Sequence, residues 1–142
     1  LQAGLADVRM AQGRREEAAL AAEAALAGAE ELWGDEHPQV ARATWMLADA
    51  LRGRGRPDRV VELYRRSLAV EASLHGEEHP AVGQKALALG LHLEETGRTG
   101  AARQAYGRAA RVFTASLGAD SDAADAARRH LERLEDGAGP PG

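Results

Sequence analysis

The stretch from Trp33 to Leu74, WGDEHPQVARATWMLADALRGRGRPDRVVELYRRSLAVEASL, contains the pattern from which the fold can be predicted. It comprises a loop that ends in Pro38, a segment of apolar periodicity, a break at Gly55-Arg56-Pro57, and a second periodic segment. A shift of 42 residues places the loop HGEEHP, which ends at Pro80, on the first loop, and Gly97 on the break. Repetition at a fixed period of this length indicates stacked supersecondary units that bury their apolar faces against their neighbours.

Each half of the repeat has the apolar spacing of an amphipathic helix. In the first half the residues of one stripe, all apolar except a threonine, recur at intervals of 4, 3 and 4, which indicates one buried helical face. They are Val40, Thr44, Leu47 and Leu51, followed one repeat later by Val82, Ala86, Leu89 and Leu93. The second half carries three aromatic residues at core spacing, Tyr64, Tyr106 and Phe113. Because the turn between the halves is short, the two helices of each pair are expected to lie antiparallel.

The predicted fold class is therefore all-α, an α-α superhelix (solenoid) of antiparallel helix pairs. The repeats are expected at about 1–32, 38–74 and 80–116, followed by a capping helix at 121–136 and a flexible tail at 137–142. In the first repeat Gly13 falls on the break, so residues 1–12 and 16–32 are predicted to be two separate helices. The hydroxyl of Ser121 is the expected cap of the last helix, whose single apolar stripe suits the end of a repeat array.

Composition narrows the classes of function. The chain has 142 residues, a formal net charge of −4 and no cysteine. The acidic balance opposes a general surface for nucleic acid or for an anionic membrane, and the lack of cysteine excludes disulfides and thiolate catalysis. No apolar run approaches the ~18 residues of a membrane span. We expect a cytoplasmic location, and because Leu1 is not an initiator methionine, the chain is expected to be part of a longer protein.

One short motif matches a metal site. His75-Gly76-Glu77-Glu78-His79 fits the inverted zinc-protease pattern His-x-x-Glu-His. That chemistry needs both histidines on one helical face with the glutamate as general base, whereas Gly76 and Pro80 predict a loop here. We therefore expect loop and helix-cap chemistry, with no metal, no cofactor and no catalysis.

A second short motif, Arg52-Gly53-Arg54-Gly55-Arg56, is similar to an RNA-binding arginine–glycine tract. A helix C-terminus explains it as well, because the helix dipole favours cations there and glycine ends the helix. The expected role is a solvated patch or a contact with an acidic partner segment, and no nucleic acid is expected.

The repeat resembles the tetratricopeptide repeat, in the 42-residue form of kinesin light chains and many bacterial regulators. The second repeat matches through Leu32-Trp33-Gly34, His37-Pro38, Leu47-Ala48, Gly55-Arg56, Tyr64 and Ser67-Leu68. The third matches through His79-Pro80, Leu89-Gly90, Gly97-Arg98, Tyr106 and Ala109. The resemblance covers the chain up to Asp136. It implies a right-handed superhelix whose first helices line a concave groove for peptides or partner domains, and it implies no catalysis.

The resemblance also places the groove. The light-chain form usually carries a pair of asparagines before Leu-Ala, which hydrogen-bond the backbone of an extended peptide; here the pairs are Trp45-Met46 and Leu87-Ala88, which suggests a more apolar groove. The implied groove residues are Asp7, Met10, Arg42, Trp45, Asp49, Arg52, Gln84, Leu87, Leu91 and Glu94, with Ala3 beside the first two. Trp45 is either the anchor for a partner or part of the helical core.

The predicted function is a protein–protein interaction scaffold that binds a peptide or partner domain in a concave groove and is a segment of a larger bacterial-type regulatory or signalling protein. One alternative is a regulatory or accessory domain of an enzyme that contacts its own chain. Another is a self-association module that forms a homo-oligomer.

Overall fold

The computed structural model describes the backbone of residues 2–137 and the side chains of residues 11–137. Within those residues the chain contains six α-helices and no strand. The helices are α1 (Gln2–Trp33), α2 (Pro38–Leu51), α3 (Pro57–His75), α4 (Pro80–Glu95), α5 (Thr99–Leu117) and α6 (Asp122–Glu135). The all-α helical repeat fold is thus confirmed. Most of the predicted tail lies outside the described residues.

Side chains at fixed repeat positions start the helices. His37 precedes α2, and its Nδ1 accepts the backbone N–H of Gln39 at 3.1 Å. His79 does the same before α4, where its Nδ1 accepts the N–H of Ala81 at 3.1 Å. In the third copy of the position, the hydroxyl of Ser121 accepts the N–H of Ala124 at 3.2 Å, as predicted. Each cap satisfies a backbone donor that the helix itself leaves free.

The predicted helix break at Gly13 is wrong. Residues on both sides of it belong to the single 32-residue helix α1. The breaks that do form use a glycine with positive φ, 80° at both Gly55 and Gly97, in turns that separate two helices packed together. Gly13 has no following proline, as Gly55-Arg56-Pro57 has, and its φ is not positive. A glycine inside a helix costs only about 1 kcal/mol, so the helix continues.

The chain divides into two compact units, Leu1–Ser67 and Leu68–Gly142, with the boundary inside α3. In unit 1, α1 packs against α2, and the beginning of α3 contacts α2. The core includes Leu47 of α2 and Tyr64 of α3, which are 0% and 1% exposed. Ser67 donates its hydroxyl to the carbonyl of Ala41 at 2.7 Å and so joins α3 to α2.

In unit 2, α5 packs against both α4 and α6. Glycines in α4 allow close approach, because a Cβ at Gly83 would lie 2.8 Å from the ring of Phe113 and one at Gly90 would lie 2.6 Å from the ring of Tyr106. Both rings are buried, as the sequence predicted for all three aromatic core residues. The apolar stripe of α6 faces inward through Ala124, Ala127 and Leu134.

Candidate partner-binding faces

The α2 face, defined by Arg42, Trp45, Asp49 and Arg52, is a surface strip of unit 1. Its residues alternate with the buried stripe of α2, so the same helix presents one face to the core and the next face outward. Arg42 and Asp49 are exposed, and Trp45 and Arg52 are half-buried. The predicted contributors Asp7 and Met10 lie in the part of α1 whose side chains are outside the described residues.

Trp45 lies at the border between this face and the core. Its ring packs on the buried ring of Tyr64, with 4.5 Å between centroids and 51° between planes. The neighbouring Met46 is 51% exposed. The apolar pair that replaces the family's asparagines therefore consists of one half-buried ring, supported from below, and one exposed thioether. The indole has features of both predicted alternatives, partner anchor and core residue. It packs on the core through Tyr64, and it is half-buried, so part of its surface is accessible.

A hydrogen bond fixes the ring on which Trp45 rests. Tyr64 donates its hydroxyl to Asp49 Oδ1 at 2.5 Å. Burial raises the pKa of Tyr64, the bond to Asp49 raises this pKa further, and Arg52 opposes the shift. The phenol is therefore protonated at neutral pH and is a constant donor to the carboxylate.

The α4 face of unit 2, defined by Gln84, Leu87, Leu91 and Glu94, occupies the same positions one repeat later. Gln84 is exposed and both leucines are half-buried, which makes the middle of the strip apolar. Glu94 is different, because only 5% of its surface is exposed. The structure therefore places three of the four predicted residues on an accessible strip and the fourth inside the unit.

Glu94 is held by two residues of its own unit. Arg133 of α6 donates to both carboxylate oxygens, to Oε1 at 2.8 Å through Nη2 and to Oε2 through Nη1. Tyr106 of α5 donates its hydroxyl to Oε1 at 2.7 Å. The hydrogen bonds from Arg133 lower the pKa of Glu94 to about 2, against an opposing effect of burial. The side chain is thus an ionised structural link between three helices.

The imidazole of His130 completes this cluster. It stacks on the ring of Tyr106, with centroids 4.9 Å apart and planes 16° apart, and its Nδ1 lies 3.1 Å from Arg133 Nη2. Burial lowers the pKa of His130, and the charge of Arg133 lowers it further. Sequence reasoning missed this cluster. The 42-residue register places Arg133 at the position of Leu91 and Asp49, but it does not reveal the pairing with Glu94.

The metal-like motif is a helix end, a loop and a helix cap. His75 is the last residue of α3 and His79 is the cap of α4, with 4.9 Å between their ring centroids. Among the side chains of residues 11–137, no three histidine or carboxylate groups are placed to hold a metal ion. Across the described helices, none combines the length and apolarity that crossing a bilayer requires.

The six described helices, together with the faces of α2 and α4, define the class of the molecule. It is a helical repeat protein whose helix pairs recur every 42 residues. The family description "Tetratricopeptide repeat" matches residues 1–71, half of the 142-residue chain. The chain belongs to the tetratricopeptide repeat family. Repeats of this family generally mediate protein–protein interactions, and such scaffolds are typically non-enzymatic. Curated protein sequences contain no match to the chain.

Solved structures share the fold. One contains the nearly identical TPR-like repeats of a protein from Podosopora anserina described as a kinesin light chain, with 22% identity, a TM-score of 0.74 and coverage of 95% of this chain. Another is BtubC (BKLC) from P. vanneervenii, with 25% identity, a TM-score of 0.72 and coverage of 94%. The chain spans 65% and 52% of the lengths of these two structures. The predicted light-chain-like form of the repeat agrees with both.

Proposed function

We propose that the chain is a protein-interaction scaffold that binds a peptide or partner domain on the outward faces of its first helices. The observation that carries the proposal is the pair Trp45-Met46 on α2. A ring supported by Tyr64 beside an exposed thioether forms an apolar contact surface, and the exposed Arg42 stands one turn away. Large rings of this kind supply most of the free energy in many interfaces.

The α4 face supports the same function in a different chemical form. Leu87 and Leu91 give it an aliphatic centre, and Gln84 gives it a polar end. Glu94 contributes indirectly, because its bonds to Arg133 and Tyr106 fix the end of α4. We assign partner contact on this face to the first three residues and a positioning role to Glu94.

The setting of the scaffold is part of the proposal. We place it in the cytoplasm, as one segment of a larger regulatory or signalling protein, with binding in place of catalysis. The chain's own neighbouring domains are the main alternative occupants of the two faces. A second copy of the chain is the other alternative.

The test uses peptides selected from a random display library on the immobilised full chain, followed by fluorescence anisotropy. Trp45→Ala is expected to weaken the selected peptides by at least roughly 30-fold, which corresponds to about 2 kcal/mol. The matched control is Trp33→Ala, because Trp33 is also partly exposed but stacks on His37 outside the α2 face. The control should bind as the wild type does.

Three results oppose the proposal. If Trp45→Ala lowers the melting temperature by many degrees and Trp45→Phe restores both melting and binding, Trp45 is core and its contact role is wrong. Equal losses in the Trp33 and Trp45 variants exclude the α2 face as the binding surface. If sedimentation velocity instead shows a dimer that Trp45→Ala dissociates, the face serves self-association.

A further inference from the structure

An open depression of about 510 Å³ lies between α5 and α6 of unit 2, and none of its lining residues belongs to the α2 or α4 face. We call it the α5 shelf. Its main residues are Gly100, Arg103, Gly107 and Arg111 of α5 and Leu131 and Glu135 of α6. Both arginines are exposed, and Leu131 forms a half-buried apolar floor.

Unit 1 contains a counterpart of this depression two 42-residue repeats earlier. That depression, of about 360 Å³, includes Glu16, Leu20, Glu23 and Leu51, and Arg54 of the following turn enters it. Arg54 Nη2 donates to Glu16 Oε1 at 3.1 Å. In the unit 1 depression, α1 therefore supplies the carboxylates, and the turn after α2 supplies the guanidinium of Arg54.

The α5 shelf has the opposite chemistry. The two glutamates of the counterpart are replaced by Gly100 and Gly107, and Ala19 is replaced by Arg103. No acid of α5 lines the shelf, and Glu135 of α6 is its only carboxylate among the described lining residues. A cationic side chain that entered the α5 shelf would therefore find no carboxylate on α5. A carboxylate that entered it would find two guanidinium donors.

Gly107 adds room on the same face. A glycine in the middle of a helix costs about 1 kcal/mol relative to alanine. The packing of unit 2 does not require it, because a Cβ there would meet only Arg111 Nη1 at 3.6 Å and Leu131 Cδ2 at 4.0 Å. Both contacts are ordinary. The missing side chain leaves the helix backbone open to close approach from outside.

The two arginines are free to bind. Among the described residues, neither Arg103 nor Arg111 has an ion-pair or hydrogen-bond partner, whereas Arg108, on the same helix, pairs with Glu77. Their separation of eight residues corresponds to about 12 Å along the helix. We propose that the α5 shelf binds an acidic segment of a protein partner, with carboxylates spaced about 12 Å apart on Arg103 and Arg111 and its backbone against Gly107.

Charge complementarity selects this occupant. Guanidinium groups bind carboxylates through paired hydrogen bonds, and the exposed Gln104 can donate a third to the segment. Glu135 on the opposite rim repels an acidic segment from α6 and so directs it to the α5 side. The α5 shelf is independent of Trp45, so its failure and the failure of the α2 face are distinguishable.

The experiment measures binding of a fluorescein-labelled peptide of repeating glutamate and alanine to the full chain at low ionic strength. The double variant Arg103→Glu/Arg111→Glu is expected to bind at least about tenfold more weakly, because it opposes like charges. The matched control is Arg14→Glu/Arg65→Glu, which makes the same charge change on exposed arginines of unit 1. The control and Trp45→Ala should both retain wild-type affinity.

A second pair of variants tests the role of the glycine. Gly107→Glu restores the residue type of the unit 1 counterpart and should weaken the acidic peptide while strengthening a lysine–alanine peptide of equal length. Gly107→Ala keeps the charge and should raise the melting temperature while weakening the acidic peptide about threefold through lost close approach.

Several outcomes overturn the proposal. The first is a lack of binding at low ionic strength, and the second is an equal loss in the unit 1 control. If a uridine-rich RNA oligonucleotide binds more tightly and its binding is lost in Arg103→Glu/Arg111→Glu, the occupant is nucleic acid. Self-association of the chain that the same double variant abolishes assigns the α5 shelf to a second copy.

Discussion

Tyr64 and Tyr106 occupy the same position in consecutive repeats, yet their hydroxyls bond to carboxylates of different character. Tyr64 donates to Asp49, an exposed residue on the α2 face. Tyr106 donates to Glu94, which is buried and also held by Arg133. The tyrosine donor thus recurs in both repeats, whereas the carboxylate that accepts its hydrogen bond differs between them. In unit 1 the acceptor belongs to the exposed α2 face, for which we propose partner contact, and in unit 2 it is part of the internal packing.

The largest expected effect is that of removing the buried acceptor. Glu94→Ala leaves Arg133 and the hydroxyl of Tyr106 without their shared partner, and should lower the free energy of unfolding by about 3 kcal/mol. Urea unfolding followed by circular dichroism measures the change. Glu132→Ala, an exposed glutamate on α6, is the control and should stay within about 0.5 kcal/mol of the wild type. Equal effects of the two substitutions would contradict the distinction drawn between the two acceptors.

The next effect concerns how closely each tyrosine approaches its partner helix. A Cβ at Gly90 would lie 2.6 Å from the ring of Tyr106, which is buried and anchored by Glu94. Gly90→Ala should therefore cost about 2 kcal/mol despite the better helix propensity of alanine. Unit 1 already has alanine at this position, Ala48. The reverse substitution Ala48→Gly should cost only about 1 kcal/mol, and a stabilised Gly90→Ala variant would refute the packing argument.

Acid provides a third, smaller test. The pKa of Glu94 is about 2 in the folded chain and 4.5 in its ordinary state, so the unfolded chain binds the proton more strongly. The stabilisation is complete above about pH 4.5 and is lost as the pH falls towards 2. Between pH 6 and pH 3.5 this group should account for a loss of roughly 1 kcal/mol. Glu94→Gln should lack that part of the pH dependence, and identical slopes for variant and wild type would argue against an ionised Glu94.

The smallest expected effect is on the exposed acceptor. Asp49→Ala removes one partly buried hydrogen bond whose acceptor is exposed, so that water can replace the carboxylate, and should cost below about 1 kcal/mol. Its effect on partner binding should be larger than its effect on stability, because Tyr64 supports Trp45. Anisotropy with the selected peptides and urea unfolding measure the two effects separately. A stability loss equal to that of Glu94→Ala would remove the contrast between the units.

The fold could be predicted from sequence wherever local chemistry marks the helix ends. Pro38, Pro80 and Ser121 start helices within one residue of the predicted positions, and Gly55 and Gly97 lie in the turns between them. Gly13 has the same register but lacks a packed helix pair around it. Interhelical packing stabilises such a break, and glycine alone merely permits it.

The environments of the predicted face residues could be predicted only in part. Spacing identified the outward strip on α2, but it could not reveal that Glu94 is buried, because its partner Arg133 lies 39 residues further along the chain. Nothing local in the sequence around Glu94 indicates that pairing. Likewise, whether Trp45 rests on the core depended on Tyr64, in another helix.

The ion pairs between α1 and α3 in unit 1 have a consequence for alignment. Glu23 pairs with Arg59 at 3.4 Å and Glu30 pairs with Arg66 at 3.0 Å, so acids and bases both recur every seven residues. Exposed pairs of this kind contribute little stability, typically below about 1 kcal/mol each. A slip of one helical turn towards the start of α1 would set the two arginines against alanine and leucine, whereas a slip of two turns in that direction would set them against Glu16 and Glu23. The pairs therefore disfavour a misalignment of the two helices by one turn, but they do not disfavour a misalignment by two turns.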